Sequence, residues 1–243
     1  MAHIRDNRSL LAAAEKRLLV RIARNLPASI NSDQLSALAL ISTVGAGVAF
    51  ALIRYSPWFA ALFTVFLFLN WFGDSLDGTV ARVRDQQRPR YGFYVDHVID
   101  LAGTAAIVTG MALSGAMTPA IGFALLAVYF MVAAETFLAT HSVGVFRMSF
   151  AGFGPTELRL VLAAGAMKVA LSPAIELMNR EFQLLDVGGV MAILGLAVAF
   201  VISAIRNGDA LYRAEPLPRA GSARVPRAPA HAEQGVAAWS AGS

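Results

Sequence analysis

Four aspartates, Asp74, Asp77, Asp96 and Asp100, have the spacing in this sequence that could do chemistry. They stand in two short segments, Asn70-Trp-Phe-Gly-Asp74-Ser-Leu-Asp77-Gly78-Thr-Val-Ala81-Arg82 and Gly92-Phe-Tyr-Val-Asp96-His-Val-Ile-Asp100. At about 100° per residue a helix puts Asp74, Asp77, Gly78 and Ala81 on one face. The i, i+4 spacing likewise aligns Gly92, Asp96 and Asp100. Four unpaired carboxylates in apolar membrane helices would cost about 10 kcal/mol, at roughly 2.5 to 3.5 each. A divalent cation, or a pair about 3.5 to 4 Å apart, removes that penalty and can clamp phosphate oxygens. The sequence has no cysteine, so a metal would be held by oxygen or histidine, and Mg²⁺ or Mn²⁺ suits an all-oxygen set. Gly78, Gly92 and Ala81 would let a diphosphate and its nucleotide approach the backbone, and Arg82 can meet a phosphate charge. The bland alternative is a charge cluster at a membrane end, with the carboxylates paired to Arg82, Arg84, Arg88 and Arg90.

The elements that must carry these residues are membrane helices. Hydrophobic residues make up 57% of the 243 positions and charged residues 15%, with a mean hydropathy of +0.59; a soluble domain usually carries about a quarter charged residues. Residues 35–53 and 57–73 are uncharged, each close to the roughly 20 residues that cross a bilayer. The uncharged stretch 101–134 is too long for one span, and Thr118-Pro119 is the place to divide it. A fifth apolar run follows Arg159, interrupted by Lys168, and a sixth fills 187–205. The expectation is therefore an all-α polytopic protein of six transmembrane helices.

The net charge of +4 does not point to nucleic acid, because the positive charges are placed as a membrane protein places them. With the N-terminus in the cytoplasm, 17 of the 20 lysines and arginines fall inside, leaving Arg54, Lys168 and Arg180. That bias puts both aspartate segments at the cytoplasmic face of the inner membrane. Residues 9–26 space Leu11, Leu18, Leu19, Ile22 and Leu26 among basic residues, as an interfacial amphipathic helix does. The basic interruptions also separate this segment from a cleavable signal peptide. We divide the chain into a cytoplasmic juxtamembrane helix (1–30), a six-helix domain (31–210) and a disordered cytoplasmic tail (211–243), rich in Ala, Pro, Arg, Ser and Gly.

The pattern DxxDGxxAR, nine residues, then GxxxDxxxD resembles the signature of the class I CDP-alcohol phosphotransferase (CDP-alcohol phosphatidyltransferase) family, whose members are six-helix membrane enzymes. The motif covers Asp74 to Asp100 and the span layout about residues 30–210; the spacer is one residue longer than is common in the family. The resemblance implies that Asp74, Asp77 and Asp96 are metal ligands, and that Asp100 is both a ligand and the base for an acceptor hydroxyl. It implies a nucleotide pocket of Asp74, Gly78, Ala81, Arg82 and Gly92, and two Mg²⁺ or Mn²⁺ ions. The substrates would be a CDP-linked donor, most readily CDP-diacylglycerol, and an alcohol, with CMP released. The reverse arrangement, a soluble CDP-alcohol and a lipid hydroxyl, uses the same motif. A non-catalytic ion-binding transporter would need aspartates along a path across the bilayer, whereas these lie at one end.

Asn31-Ser-Asp33-Gln-Leu35-Ser36 is similar to a segment that often opens the first helix of this family, without its proline. Ser32 or Asp33 there would contact nucleotide or cap the helix. Asn70 lies one turn before Asp74 and would bond to the site or to a neighbouring helix. Glu135, Thr140, His141, Arg147, Thr156, Glu157 and Arg159 are candidates for the acceptor pocket, Arg159 through a phosphate. Their alternatives are an interhelical bond for Glu135, ordinary interfacial roles for His141 and Arg147, and helix capping for Thr156 or Glu157. His97 beside Asp96 resembles the aminoalcohol branch of the family, although it points about 100° off the aspartate stripe. Gly45, Gly47, Gly103, Gly110, Gly188 and Gly195 would permit close helix packing and a homodimer face.

Overall fold

The computed structural model describes residues 12–143, 154–177, 179–215 and 217. Arg147 and the tail from residue 218 lie outside the described residues. Among the described residues seven helices follow one another: α1 (Ala12–Asn25), α2 (Ser32–Ala51), α3 (Trp58–Val83), α4 (Pro89–Leu113), α5 (Pro119–Val143), α6 (Pro155–Leu171) and α7 (Leu184–Ala214). A short antiparallel hairpin, β1 (Ala174–Leu177) with β2 (Arg180–Gln183), joins α6 to α7. An all-helical reading does not anticipate this hairpin; it turns through Asn179 at φ 60°, a conformation that asparagine tolerates.

Among the described residues five helices, α2, α3, α4, α5 and α7, are long and apolar enough to cross a membrane. The remaining expected span, α6, has 17 residues, about 26 Å at 1.5 Å per residue and the short end of what crosses hydrocarbon. Trp58, Leu138, Leu171 and Met191 are each more than 65% exposed, an arrangement that water penalises and lipid does not. The break at Thr118-Pro119 is where α5 begins, and Asp186 at the start of α7 accepts from both Thr118 N (2.7 Å) and Thr118 Oγ1 (2.6 Å).

Helix α2 is the centre of the packing. It lies against both α3 and α4, whereas among the described residues α3 and α4 touch each other only sparingly. Small residues make this possible, because the backbones of α2 and α4 meet at Gly47 and Gly110: a Cβ on Gly110 would stand 2.8 Å from the Gly47 carbonyl carbon. Phe50 of α2 packs edge-on against Phe63 of α3, with centroids 5.0 Å apart, within a core that also takes Met111, Met117, Ala166 and Val169. Gly188 and Gly195, by contrast, would meet nothing within 4 Å if given a Cβ.

Helix α1 is amphipathic, and its Leu19 and Ala23 are buried with Leu35, Leu76 and Val80. Arg84, just past α3, fastens the α1–α2 connection by donating to the carbonyls of Leu26, Pro27 and Ile30 at 2.6 to 3.0 Å. The chain divides into two compact units, Met1–Asn207 and Gly208–Ser243. In the second, Arg213 pairs with Asp209 one turn back at 2.9 Å.

Candidate active site

Asp77 is held from two helices. It is half-buried near the C-terminal end of α3. Ser36 Oγ, from the second turn of α2, donates to Asp77 Oδ2 at 2.6 Å, and the Gly78 amide donates to Oδ1. Ser32 Oγ, one turn earlier on α2, donates to the Asp77 carbonyl at 3.0 Å. Ser32 is therefore occupied by α3, and the N-cap of α2 is neither Ser32 nor Asp33 but Asn31. Asn31 Oδ1 accepts from Gln34 N (2.8 Å) while Gln34 Oε1 accepts from Asn31 N (2.9 Å), a reciprocal capping box. Asp33 instead pairs with Arg88, beside a pocket of about 260 Å³ lined by Asn31, Ser32, Asp33, Gln86 and Arg88.

Asp74 lies one turn before Asp77 and is ion-paired with Arg159 of α6, Nη2 to Oδ2 at 2.6 Å. Arg159 Nε also donates to Asn70 Oδ1 at 2.9 Å, and Asn70 Nδ2 donates to Thr43 Oγ1 at 2.7 Å and to the Ala39 carbonyl. Asn70 thus bonds to the site and glues helices at once, linking α2, α3 and α6. The alternative of a charge cluster with the loop arginines is met only in a different form. Arg84 binds carbonyls, Arg88 binds Asp33, and the guanidinium beside Asp74 comes from 85 residues away.

The second stripe begins α4. The chain leaves α3 through Asp85 in the left-handed region (φ 53°), and Pro89 opens the next helix. Asp96 is half-buried and Asp100 exposed. Helix α2 lies against both α3 and α4, which carry the two stripes. The stripes are within electrostatic reach of each other, since Asp74 and Asp96 both act on Asp77. Among the described residues no three acidic or histidine side chains are drawn together at metal-binding distance. Like charges repel, and here Asp77 takes donors from Ser36 and Gly78 and Asp74 takes one from Arg159. In chemistry the donor set, carboxylate oxygens from two helices, is the kind that a hard divalent ion takes.

The small residues of the motif are not required by the protein's own packing. A Cβ on Gly92 would meet nothing within 4 Å, and one on Gly78 would meet only the tip of Arg82, at 3.2 Å. Ala81 is half-buried, and Arg82 is exposed, donating to Thr79 Oγ1 at 3.0 Å. The space that glycine leaves is open toward whatever binds.

The remaining candidates separate. Glu135 accepts from Ser203 Oγ (2.8 Å) and Asn207 Nδ2 (2.7 Å) of α7, an interhelical link. Thr140 bonds back to the Thr136 carbonyl, and His141 is exposed at the end of α5. Glu157 caps α6 by accepting from Gly154 N at 3.0 Å. His97 Nδ1 lies 2.7 Å from the Phe93 carbonyl, with its ring against Phe93 and Phe137. Three participants escaped the sequence reading. Ser36 was quoted there without a role. Glu15 of α1 accepts from Trp71 Nε1 (2.6 Å) and Thr156 Oγ1 (3.1 Å), joining α1, α3 and α6. Tyr129 of α5 bonds to Thr104 and lies within electrostatic reach of Asp100.

A family model for CDP-alcohol phosphatidyltransferase matches residues 30–203. A search among curated proteins finds no match. Among solved structures the chain is similar to the phosphatidylinositol phosphate synthase of Mycobacterium tuberculosis with CDP-DAG bound. The TM-score is 0.54 at 18% identity, covering 81% of this chain and 94% of that one. The same synthase in complex with manganese and citrate matches with the same TM-score and identity, over 80% of this chain and 88% of that one. At this identity the likeness is one of fold.

Proposed function

Because the chain belongs to the CDP-alcohol phosphatidyltransferase family, we propose that it transfers a phosphatidyl group from CDP-diacylglycerol to the hydroxyl of an alcohol, releasing CMP, at the carboxylates of Asp74, Asp77, Asp96 and Asp100. Family membership makes it a multi-pass membrane phosphotransferase of phospholipid synthesis; the donor, the acceptor class and the residue roles are our reading. The observation that carries it is that Asp77, oriented by Ser36 and Gly78, is within electrostatic reach of both Asp74 of its own helix and Asp96 of the next. A family fold that accommodates CDP-DAG in a neighbour supports the donor, and manganese in the same neighbour supports the metal.

The four aspartates would hold Mg²⁺ or Mn²⁺, two ions in all. When bound, such ions neutralise charge on phosphate oxygens and on the departing bridging oxygen. Gly78, Ala81 and Gly92 leave the helix backbones accessible to the nucleotide, and Arg82 pairs with a phosphate. Asp100 accepts the proton of the alcohol as its oxygen attacks the β-phosphorus; the bond from that phosphorus to the bridging oxygen breaks and CMP departs. Exposure of Asp100 lets an acceptor reach it. The site would face the cytoplasm, the side on which the basic residues accumulate.

The donor is tested with the purified full chain in Mg²⁺, supplied separately with labelled CDP-diacylglycerol plus polar alcohols and with soluble CDP-alcohols plus diacylglycerol. CMP is expected from the first mixture only. Release from the second would transfer the assignment to the aminoalcohol arrangement, and release from neither with any acceptor would remove the enzymatic reading.

A further inference from the structure

We propose that Arg159 is the resident counter-cation of the carboxylate cluster, and that it competes with the divalent ion for Asp74. The inference rests on the proposed metal site and adds a residue to it that the aspartate motif does not contain. Arg159 Nη2 and Asp74 Oδ2 are 2.6 Å apart, with side-chain exposures of 16% and 26%, so solvent screens the pair far less than a surface bridge. An arginine does not lose its proton in a protein, so Asp74 can be freed only by displacement of the guanidinium and not by its neutralisation.

The displacement has a hinge. Nε is held by Asn70 Oδ1, and Asn70 is fixed by Thr43 and Ala39 of the adjoining helix. Only the Nη2 bond need break for Asp74 to turn toward Asp77, while Asn70 keeps the side chain beside the site. The arrangement also explains how this carboxylate is tolerated within a membrane helix. The positive charge that makes Asp74 tolerable must then oppose a second cation arriving at the same oxygen.

The test is a Mn²⁺ titration, read by the EPR signal of the free ion, on the full chain in detergent with Arg159 intact, Arg159→Gln and Arg159→Lys. Arg159→Gln is expected to bind Mn²⁺ roughly tenfold tighter, about 1.4 kcal/mol, and Arg159→Lys, which keeps the charge, to stay near the parent. In the parent itself, saturation with Mn²⁺ should raise modification of Arg159 by phenylglyoxal, located by peptide mass; this arm needs no variant to fold. Equal or weaker Mn²⁺ binding by Arg159→Gln, or modification that is unchanged or falls, would overturn the competition while leaving the metal site in place. Failure of the parent to bind Mn²⁺ at all would overturn both.

Discussion

Asp100→Asn is expected to lower CMP release by roughly 10² to 10⁴-fold, the range that a positioned general base contributes, while Mn²⁺ and CDP still bind. Asparagine keeps the size of the side chain and one oxygen for coordination, but it cannot take a proton from an alcohol. Asp100 is suited to that task by placement. It is the last aspartate of the α4 stripe, one turn beyond Asp96, exposed where Asp96 and Asp77 are half-buried, and near the hydroxyl of Tyr129. Single-turnover release of labelled CMP, measured alongside Mn²⁺ binding on the same preparation, separates the two effects. Turnover near that of the parent would remove Asp100 from the base role, and joint loss of binding and turnover would make it a ligand alone.

Asp77→Ala should remove metal binding rather than chemistry. Outer partners of metal ligands commonly contribute 10 to 100-fold in affinity, so loss of a ligand itself should cost more than about 100-fold. Of the proposed ligands Asp77 has much to lose, since Ser36 and Gly78 orient it and both other half-buried carboxylates, Asp74 and Asp96, bear on it. The unfolding temperature in detergent gives the readout. Mn²⁺ should raise it in the parent and leave it unmoved in Asp77→Ala. Without metal the variant should be no less stable, because a carboxylate among like charges has gone. A variant that still gains stability from Mn²⁺ as the parent does would place the ion elsewhere.

Much of this site can be read from local pattern. The 100° geometry of a helix is enough to put Asp74 with Asp77 and Asp96 with Asp100, and Thr118-Pro119 marks the helix break because proline cannot continue the preceding one. What could not be read is everything that depends on which helix lies beside which. Nothing in the segments around α3 and α4 tells that the small surface of α2, at Gly47 and facing Gly110, takes α4 against itself. Periodicity names the face of a helix and not the face it meets. For the same reason Arg159 looked like a residue for the acceptor, since no local signal tells that a side chain 85 positions away reaches Asp74. Ser36 had a signal, its i+4 relation to Ser32 on the first turns of α2, and both hydroxyls do serve Asp77. Glu15 had none, being one carboxylate in a basic amphipathic helix whose partners Trp71 and Thr156 come from two distant segments.

The convergence of the two aspartate stripes on a cation that also touches the donor is tested most directly by pulsed EPR of the full chain loaded with Mn²⁺ and CDP-diacylglycerol. A protein-bound Mn²⁺ signal carrying phosphorus hyperfine coupling from the diphosphate is expected, with the bound signal lost when either Asp77 or Asp96 becomes alanine. Mn²⁺ that stays free in solution, or a bound signal indifferent to both substitutions, would contradict a shared metal site between α3 and α4.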